Sequence, residues 1–428
     1  MLKNHPKGLM TLFFTEMWER FGFYTMLAVF VLYMDESFGW TDSQKGDVYG
    51  IFLAFVYFTP VAGGWIADRL LGYRKTIMLG ALILGIGYAM LAYSGLEKLW
   101  LFYSALTVMV IGNGLFKANI SVLVGNLYEP GSQYKDVGYN IFYMGINLGA
   151  FIAPLAATWL HDYFGTYNAA FGAAAVGMVL SLLVFEIFKK NYIHADNKNA
   201  AGAANQKLQE GEQLSPEVEK ERIFALVTVF AIVVFFWMSF HQNGFALTLF
   251  AQRSTVKLDW LKPETYATFN PLFILILTPV VVTFFNWLNK KGKEPSTPAK
   301  MGFGMMISGA AMLVMVVASL MGGNADANDM SPNWLISTYF VITFGELFLS
   351  PMGLSFVSKV APARMRGLMM GGWFAATAVG NYLSGFIGKF YNTLTHDQFY
   401  GILVVLLLLS ALMIRIRLNK LKHAVRGT

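Results

Sequence analysis

The stretch Glu16–Met26, EMWERFGFYTM, places two carboxylates and a guanidinium inside the first long apolar run of the chain. On a membrane-insertion scale a central charged residue costs about 2.5–3.5 kcal/mol, whereas a Leu returns only about 0.5. Glu16, Glu19 and Arg20, left unpaired, would together cost up to roughly 8–10 kcal/mol. Positions 16, 19 and 20 are related by three and four residues and share one helix face; Phe23 and Tyr24 continue that face. It must look into a polar cavity or at charged partners. Other apolar runs offer three: Lys117, His241 and Glu346. Carboxylates beside cations in such a setting can exchange a proton for an ion pair, and the cations can hold an anionic group. The plainer alternative is a set of structural ion pairs that tie helices together. Intramembrane ionisable groups more often mark a pathway.

The elements that must position these residues are helices in a membrane. The chain has 428 residues, 56% of them hydrophobic and 13% charged, with no cysteine and a mean hydropathy of +0.51. Ordinary soluble domains carry about 25% charged residues. About twelve apolar segments of spanning length lie near 9–34, 47–67, 76–94, 99–125, 139–161, 168–188, 222–250, 266–289, 301–321, 333–358, 367–391 and 398–418. Each suits a hydrocarbon core of about 30 Å at 1.5 Å per residue. The alternation expected of a membrane β-barrel is missing. The expected fold class is an all-α integral membrane protein.

Basic residues set the orientation. Lys3 and Lys7, then Arg69, Arg74 and Lys75, then Lys189 and Lys190 fall on one side, followed by Lys290, Lys291 and Lys293, by Arg364 and Arg366, and by Arg415, Arg417 and Lys420. A loop with Arg253, Lys257 and Lys262 breaks the pattern. The expectation is a multi-pass protein of the inner (cytoplasmic) membrane, with both termini cytoplasmic and no cleavable signal peptide. The net charge of +7 is carried by these loops and requires no nucleic acid. Asn191–Glu221 is polar, Ala/Gly-rich and charge-mixed, which reads as a linker. The expected organisation is a six-helix bundle over 1–190, a cytoplasmic linker over 191–221 and a second six-helix bundle over 222–428. Two rocking bundles with substrate at midplane are a transporter layout.

Two sets of motifs sharpen the reading. The run GGWIADRLLGYRK carries Gly64, Asp68, Arg69, Gly72, Arg74 and Lys75, and its spacing resembles the loop motif of the major facilitator superfamily. The E-x-x-E-R-F stripe with its aromatics resembles the signature of the proton-dependent oligopeptide transporter family, a branch of that superfamily. The resemblance recurs in GNGLFKANISVLVGNLY around Lys117, FYMGINLGAFIAPL around Asn147, FNPLFI at Asn270, GELFLSPMGLS at Glu346 and MMGGWF at Trp373. It implies the major facilitator fold, about twelve transmembrane helices in two bundles, and proton-driven symport of di- and tripeptides by a protein that works in lipid as a monomer. It further implies that Arg20 and Lys117, with Tyr24 and Tyr57, hold a peptide carboxylate, and that Glu346 pairs with the amino end. Asn147 and Asn270 would hydrogen-bond termini or amides, while Phe23, Trp237 and Trp373 would wall side-chain pockets. Glu16, Glu19, Arg20, Lys117 and His241 are the candidates for proton coupling. Asn147 and Asn270 as interhelical hydrogen-bond glue, and Trp237 and Trp373 as lipid-facing residues, remain the bland alternatives.

The chain departs from the family pattern. His241 stands where the seventh span usually carries an acid, and Leu27 stands where an arginine usually faces it. Phe23 replaces one tyrosine of a pair. His241, with an ordinary pKa near 6.5, either senses protons or is a neutral buried histidine. The linker lacks the apolar helix pair that many bacterial relatives insert. No nucleotide-binding loop, metal-ligand cluster or nucleophile constellation supports an ATP-driven pump or an enzyme, and no cofactor is expected beyond the proton gradient. A carrier of nitrate or another small anion in the same family, and a drug/proton antiporter of the same fold, are the alternatives.

Overall fold

The computed structural model describes residues 5–129, 134–196, 215–362 and 365–426; the linker residues 197–214 and the loop residue Arg364 lie outside them. The described residues are helical, and their only β-pairings are the isolated bridges Thr255–Met330 and Leu258–Leu261. Among the described residues, twelve long helices and two short ones follow one another. They are α1 (Lys7–Phe38), α2 (Asp42–Phe58), the short α3 (Pro60–Ile66), α4 (Tyr73–Ala92), α5 (Leu99–Asn126), α6 (Lys135–Phe164) and α7 (Asn168–Ile187). Then come α8 (Pro216–Phe240), the short α9 (Ala246–Arg253), α10 (Phe269–Lys290), α11 (Thr297–Met321), α12 (Pro332–Val360), α13 (Arg366–Gly388) and α14 (His396–Arg426). Among the described residues, ten helical stretches are long and apolar enough to cross a membrane. The other two long helices, α1 with 32 residues and α13 with 23, have the length but dilute their apolarity with the charges of α1 and the glycines of α13.

Two expected spans prove to be broken. Thr59–Pro60 interrupts the second, because proline cannot donate the helical hydrogen bond, and a π-turn at Ala67–Leu71 ends it. In the seventh, a 3₁₀ turn over His241–Gly244 separates α8 from α9; an Asn-Gly pair is a strong helix breaker.

The chain divides into two compact units, Met1–Gly39 with Phe55–Ala204, and Trp40–Ala54 with Asn205–Thr428. In the first, α1 packs on α6 and α7, α4 on α5 and α7, and α3 on α5. Gly149 of α6 lies against the α1 backbone at Met17 and Phe21 and 3.2 Å from the Arg20 Cβ, measured from where a Cβ of its own would sit. A larger residue there would push α6 off the charged face of α1. Asn113 donates to the Val56 carbonyl (2.7 Å) and Asn119 to the Gly63 carbonyl (3.1 Å), tying α5 to the end of α2 and to α3. In the loop motif Gly72 takes φ 82°, a conformation glycine adopts without strain. The ion pairs there run from Arg74 to Glu186 (2.5 Å) and from Lys189 to Glu186 (2.7 Å), while Asp68 accepts from the Tyr73 hydroxyl (2.6 Å). Glu186, unmarked by the motif, pairs with both of these basic residues.

In the second unit α11 packs on α12 and α14, α8 on α13 and α14, and α10 on α12. Ile274, Leu277, Val281 and Phe285 of α10 meet Leu347 and Phe348 of α12 in an apolar seam. Residues 40–54, the start of α2, belong to this unit. Gly46 and Gly50 lie backbone to backbone against Gly385 of α13. Buried Asp42 pairs with buried Lys45 (2.8 Å) and accepts from both terminal nitrogens of Arg253 (2.8 and 2.9 Å). Arg253 also donates to Asn392 (2.8 Å), and Lys389 pairs with Asp47 (2.5 Å). Of the three basic residues that broke the loop pattern, Arg253 is thus paired in place. Removing one partner of a buried ion cluster leaves charge without compensation. Asp42→Asn is expected to destabilise the protein by about 3 kcal/mol, read as a lowered Tm in detergent; an unchanged Tm would show the cluster to be solvated.

Candidate functional site

Each unit contributes its own group of polar residues. In the first, the α1 face is buried as the i, i+3, i+4 spacing requires: Glu16, Glu19 and Arg20 are 3%, 0% and 3% exposed. The pairing within it differs from simple helix geometry. Adjacent residues on a helix do not normally face each other, yet Arg20 folds back to make a two-pronged contact with Glu19, its Nε to one oxygen and a terminal nitrogen to the other at 2.7 Å. The same Nε lies 3.3 Å from Glu16. One guanidinium thus serves two carboxylates, and among the described residues the second oxygen of Glu16 is buried without a hydrogen-bond partner. Phe23 lies under the guanidinium, 5.1 Å from carbon to ring centroid, with Tyr24 edge-on to it.

Lys117 of α5 makes no ion pair among the described residues. Its ammonium sits 4.0 Å from the centroid of the Tyr57 ring, a cation–π contact, within electrostatic reach of Arg20, Glu19 and Glu16. Asn113 and Asn119 bracket it and fix α5 against the segment that carries Tyr57. They were overlooked as positioning residues, although polar side chains in an apolar span are a usable signal. Asn147 is buried and donates to the Tyr143 carbonyl of its own helix (2.9 Å); no hydrogen bond among the described residues joins it to the charged group.

In the second unit Asn270 of α10 donates to Glu346 of α12 (2.9 Å) and to the Thr343 hydroxyl (2.9 Å), which in turn donates to the Tyr339 carbonyl (2.6 Å). The apolar seam on the same two helices sets this register. Thr343, one turn before Glu346, was not foreseen; its i−3 position on a polar face is the signal. Trp237 stacks on His241 with centroids 5.8 Å apart, and its buried indole N–H has no acceptor among the described residues. His241 accepts at its carbonyl from the Tyr49 hydroxyl (2.9 Å). Trp373 is 3% exposed and lies against Gly353 of α12, where a Cβ would overlap its ring. Neither tryptophan faces lipid. The structure therefore groups Glu16, Glu19, Arg20, Tyr24, Tyr57 and Lys117, and separately pairs Asn270 with Glu346 and Trp237 with His241. Leu27, 7% exposed, is a core residue.

Chemically, the first group offers an anion two cations, one already engaged by carboxylates and one without an ion pair. The second offers a cation a single carboxylate oriented by an amide. A hydrogen bond to a charged group contributes about 1.5–3 kcal/mol. Asn270→Ala is therefore expected to lower stability by about 2 kcal/mol, and Asn270→Gln to recover little of it, as read by Tm in detergent. An Asn270→Ala protein as stable as the wild type would show that Glu346 does not depend on this amide.

Comparison with known proteins agrees with the motifs. The chain matches the POT family over residues 74–209 and 189–403. It is 32% identical over 449 residues to the peptide transporter YePEPT of Yersinia enterocolitica, covering 90% of this chain and 88% of the relative. It is 30% identical to the uncharacterized transporter YclF of Bacillus subtilis (99% and 96% covered) and 29% identical to a di-/tripeptide transporter of Lactococcus lactis subsp. cremoris (99% and 98%). Among solved structures it is similar to a peptide transporter POT in complex with sulfate, with a TM-score of 0.88 and 29% identity over 99% of this chain and 96% of that one. It is also similar to a POT family transporter in complex with 5-aminolevulinic acid, with a TM-score of 0.85 and 26% identity over 98% of each. With a family match over most of its length and relatives spanning nearly all of it, this chain, of major facilitator fold, belongs to the POT family of transporters.

Proposed function

We propose that the protein is a proton-coupled symporter that imports di- and tripeptides by alternating access. The observation that carries this reading is the division of charge: Arg20 and Lys117 in the first unit, and Glu346 held by Asn270 in the second. A short peptide is a zwitterion with a carboxylate, an ammonium and amides between. Arg20 and Lys117, with Tyr24 and Tyr57, hold the carboxylate; Glu346 takes the ammonium; Asn147 and Asn270 serve termini or amides. Trp237, whose indole N–H is free to donate, and Trp373 form apolar walls that admit varied side chains. The names of the relatives, which include di-/tripeptide transporters, support this substrate class.

Coupling follows from the shared guanidinium. When a substrate carboxylate draws on Arg20 and Lys117, Glu16 or Glu19 loses its cation, and a buried carboxylate without a partner takes up a proton rather than remain charged. Each pH unit across the membrane then supplies about 1.4 kcal/mol per proton. The same reading places the protein in the inner membrane as a monomer, with both termini and the 191–221 linker cytoplasmic, as the basic residues indicate.

The test is uptake of labelled dialanine into proteoliposomes with and without an inward proton gradient. Wild type is expected to concentrate the peptide only with the gradient, and Glu346→Gln to lower uptake at least about tenfold. Full accumulation with the gradient collapsed would overturn the coupling. Transport of nitrate with no peptide uptake would move the protein to the anion carriers.

A further inference from the structure

We propose that the groove between α11 and α14 holds an anionic phospholipid, with an acyl chain along the groove and the phosphate at Arg415. The hollow has a volume of about 390 Å³ and is lined by α11 residues including Ala299, Gly302 and Phe303 and by α14 residues including Ala411, Leu412 and Arg415. That volume is at the size of small-molecule sites. It exists because Ala299, Gly302 and Ala411 carry no side chain beyond Cβ where the two helices meet. The larger residues around it turn outward: Phe303 is 47% exposed, and Met306 and Leu412 are each 52% exposed. In a membrane-spanning chain that exposure is to lipid.

Charge decides the class of lipid. Residues 398–414 carry no charge, and Arg415 is the first cation after that run, followed by Arg417 and Lys420. Arg415 is the one charged residue in the lining and makes no ion pair among the described residues. The nearby Lys300 is occupied by Glu294 (2.5 Å) and lies over the Phe285 ring, and Arg417 lies over Phe224. A guanidinium without a partner at the end of an apolar groove fits a phosphate that it can grip with two parallel hydrogen bonds. Basic pockets between membrane helices recognise anionic head groups in this way. The hollow is too small for a helix of a second copy, which argues against a dimer contact. The site shares no residue with the transport groups and stands whether or not peptides are the substrate.

The experiment is native mass spectrometry of the purified protein with added phosphatidylglycerol or phosphatidylcholine of identical acyl chains. Wild type is expected to retain phosphatidylglycerol about fivefold more strongly (~1 kcal/mol per basic residue). Arg415→Gln is expected to abolish that preference while still binding both lipids. Gly302→Leu, which fills the groove and leaves the charge, is expected to weaken both. Circular dichroism and Tm establish that each variant is folded; should Gly302→Leu not fold, Ala411→Leu fills the same groove from α14. Undiminished phosphatidylglycerol preference in Arg415→Gln, undiminished binding of both lipids in the groove-filled variant, or a lipid-free dimer in place of lipid adducts would each overturn the proposal.

Discussion

Everything distinctive about this chain depends on one guanidinium serving two carboxylates in the interior of a membrane helix. Arg20 is held by Glu19 with both prongs and by Glu16 at 3.3 Å. An unpaired buried charge is costly, and the first unit keeps the three together: Gly149 brings α6 against the α1 backbone and Phe23 floors the guanidinium, while Lys117 sits over Tyr57 and makes no ion pair among the described residues. The arrangement is satisfied but not saturated. Among the described residues, Glu16 retains an unbonded oxygen and Lys117 makes no ion pair.

The second unit is built on the opposite principle. Among the described residues Glu346 pairs with no cation but with an amide, Asn270, locked in register by an apolar seam and by Thr343. Leu27 is a core residue of the first unit, and in the second His241 turns the chain between α8 and α9 while stacking on Trp237. Charge also gathers at the start of α2, where Asp42 pairs with both Lys45 and Arg253.

Much of this was legible from spacing alone. The apolar runs foretold the helices because length and hydropathy dominate in lipid, and the interval 16, 19, 20 foretold a common buried face. What periodicity could not reveal was who pairs with whom. The adjacent Glu19–Arg20 contact depends on side-chain rotamers, the Asp42–Arg253 pair joins residues 211 apart, and Glu186 answers Arg74 across 112 residues. The break at His241–Gly244 was hidden because its flanks are apolar enough to read as one span. The asparagines at 113 and 119 went unnoticed as positioning residues because Lys117 between them carried the more conspicuous charge.

The central claim is that protons move because a substrate carboxylate displaces Glu16 and Glu19 from their cation. The most direct measurement is the lumenal pH of proteoliposomes, followed by an enclosed dye when dialanine is added outside at equal starting pH. The account predicts acidification of the lumen in step with peptide entry, and its loss in Glu16→Gln/Glu19→Gln protein that still exchanges labelled for unlabelled peptide. Peptide entry through the wild type with no change in lumenal pH would contradict it.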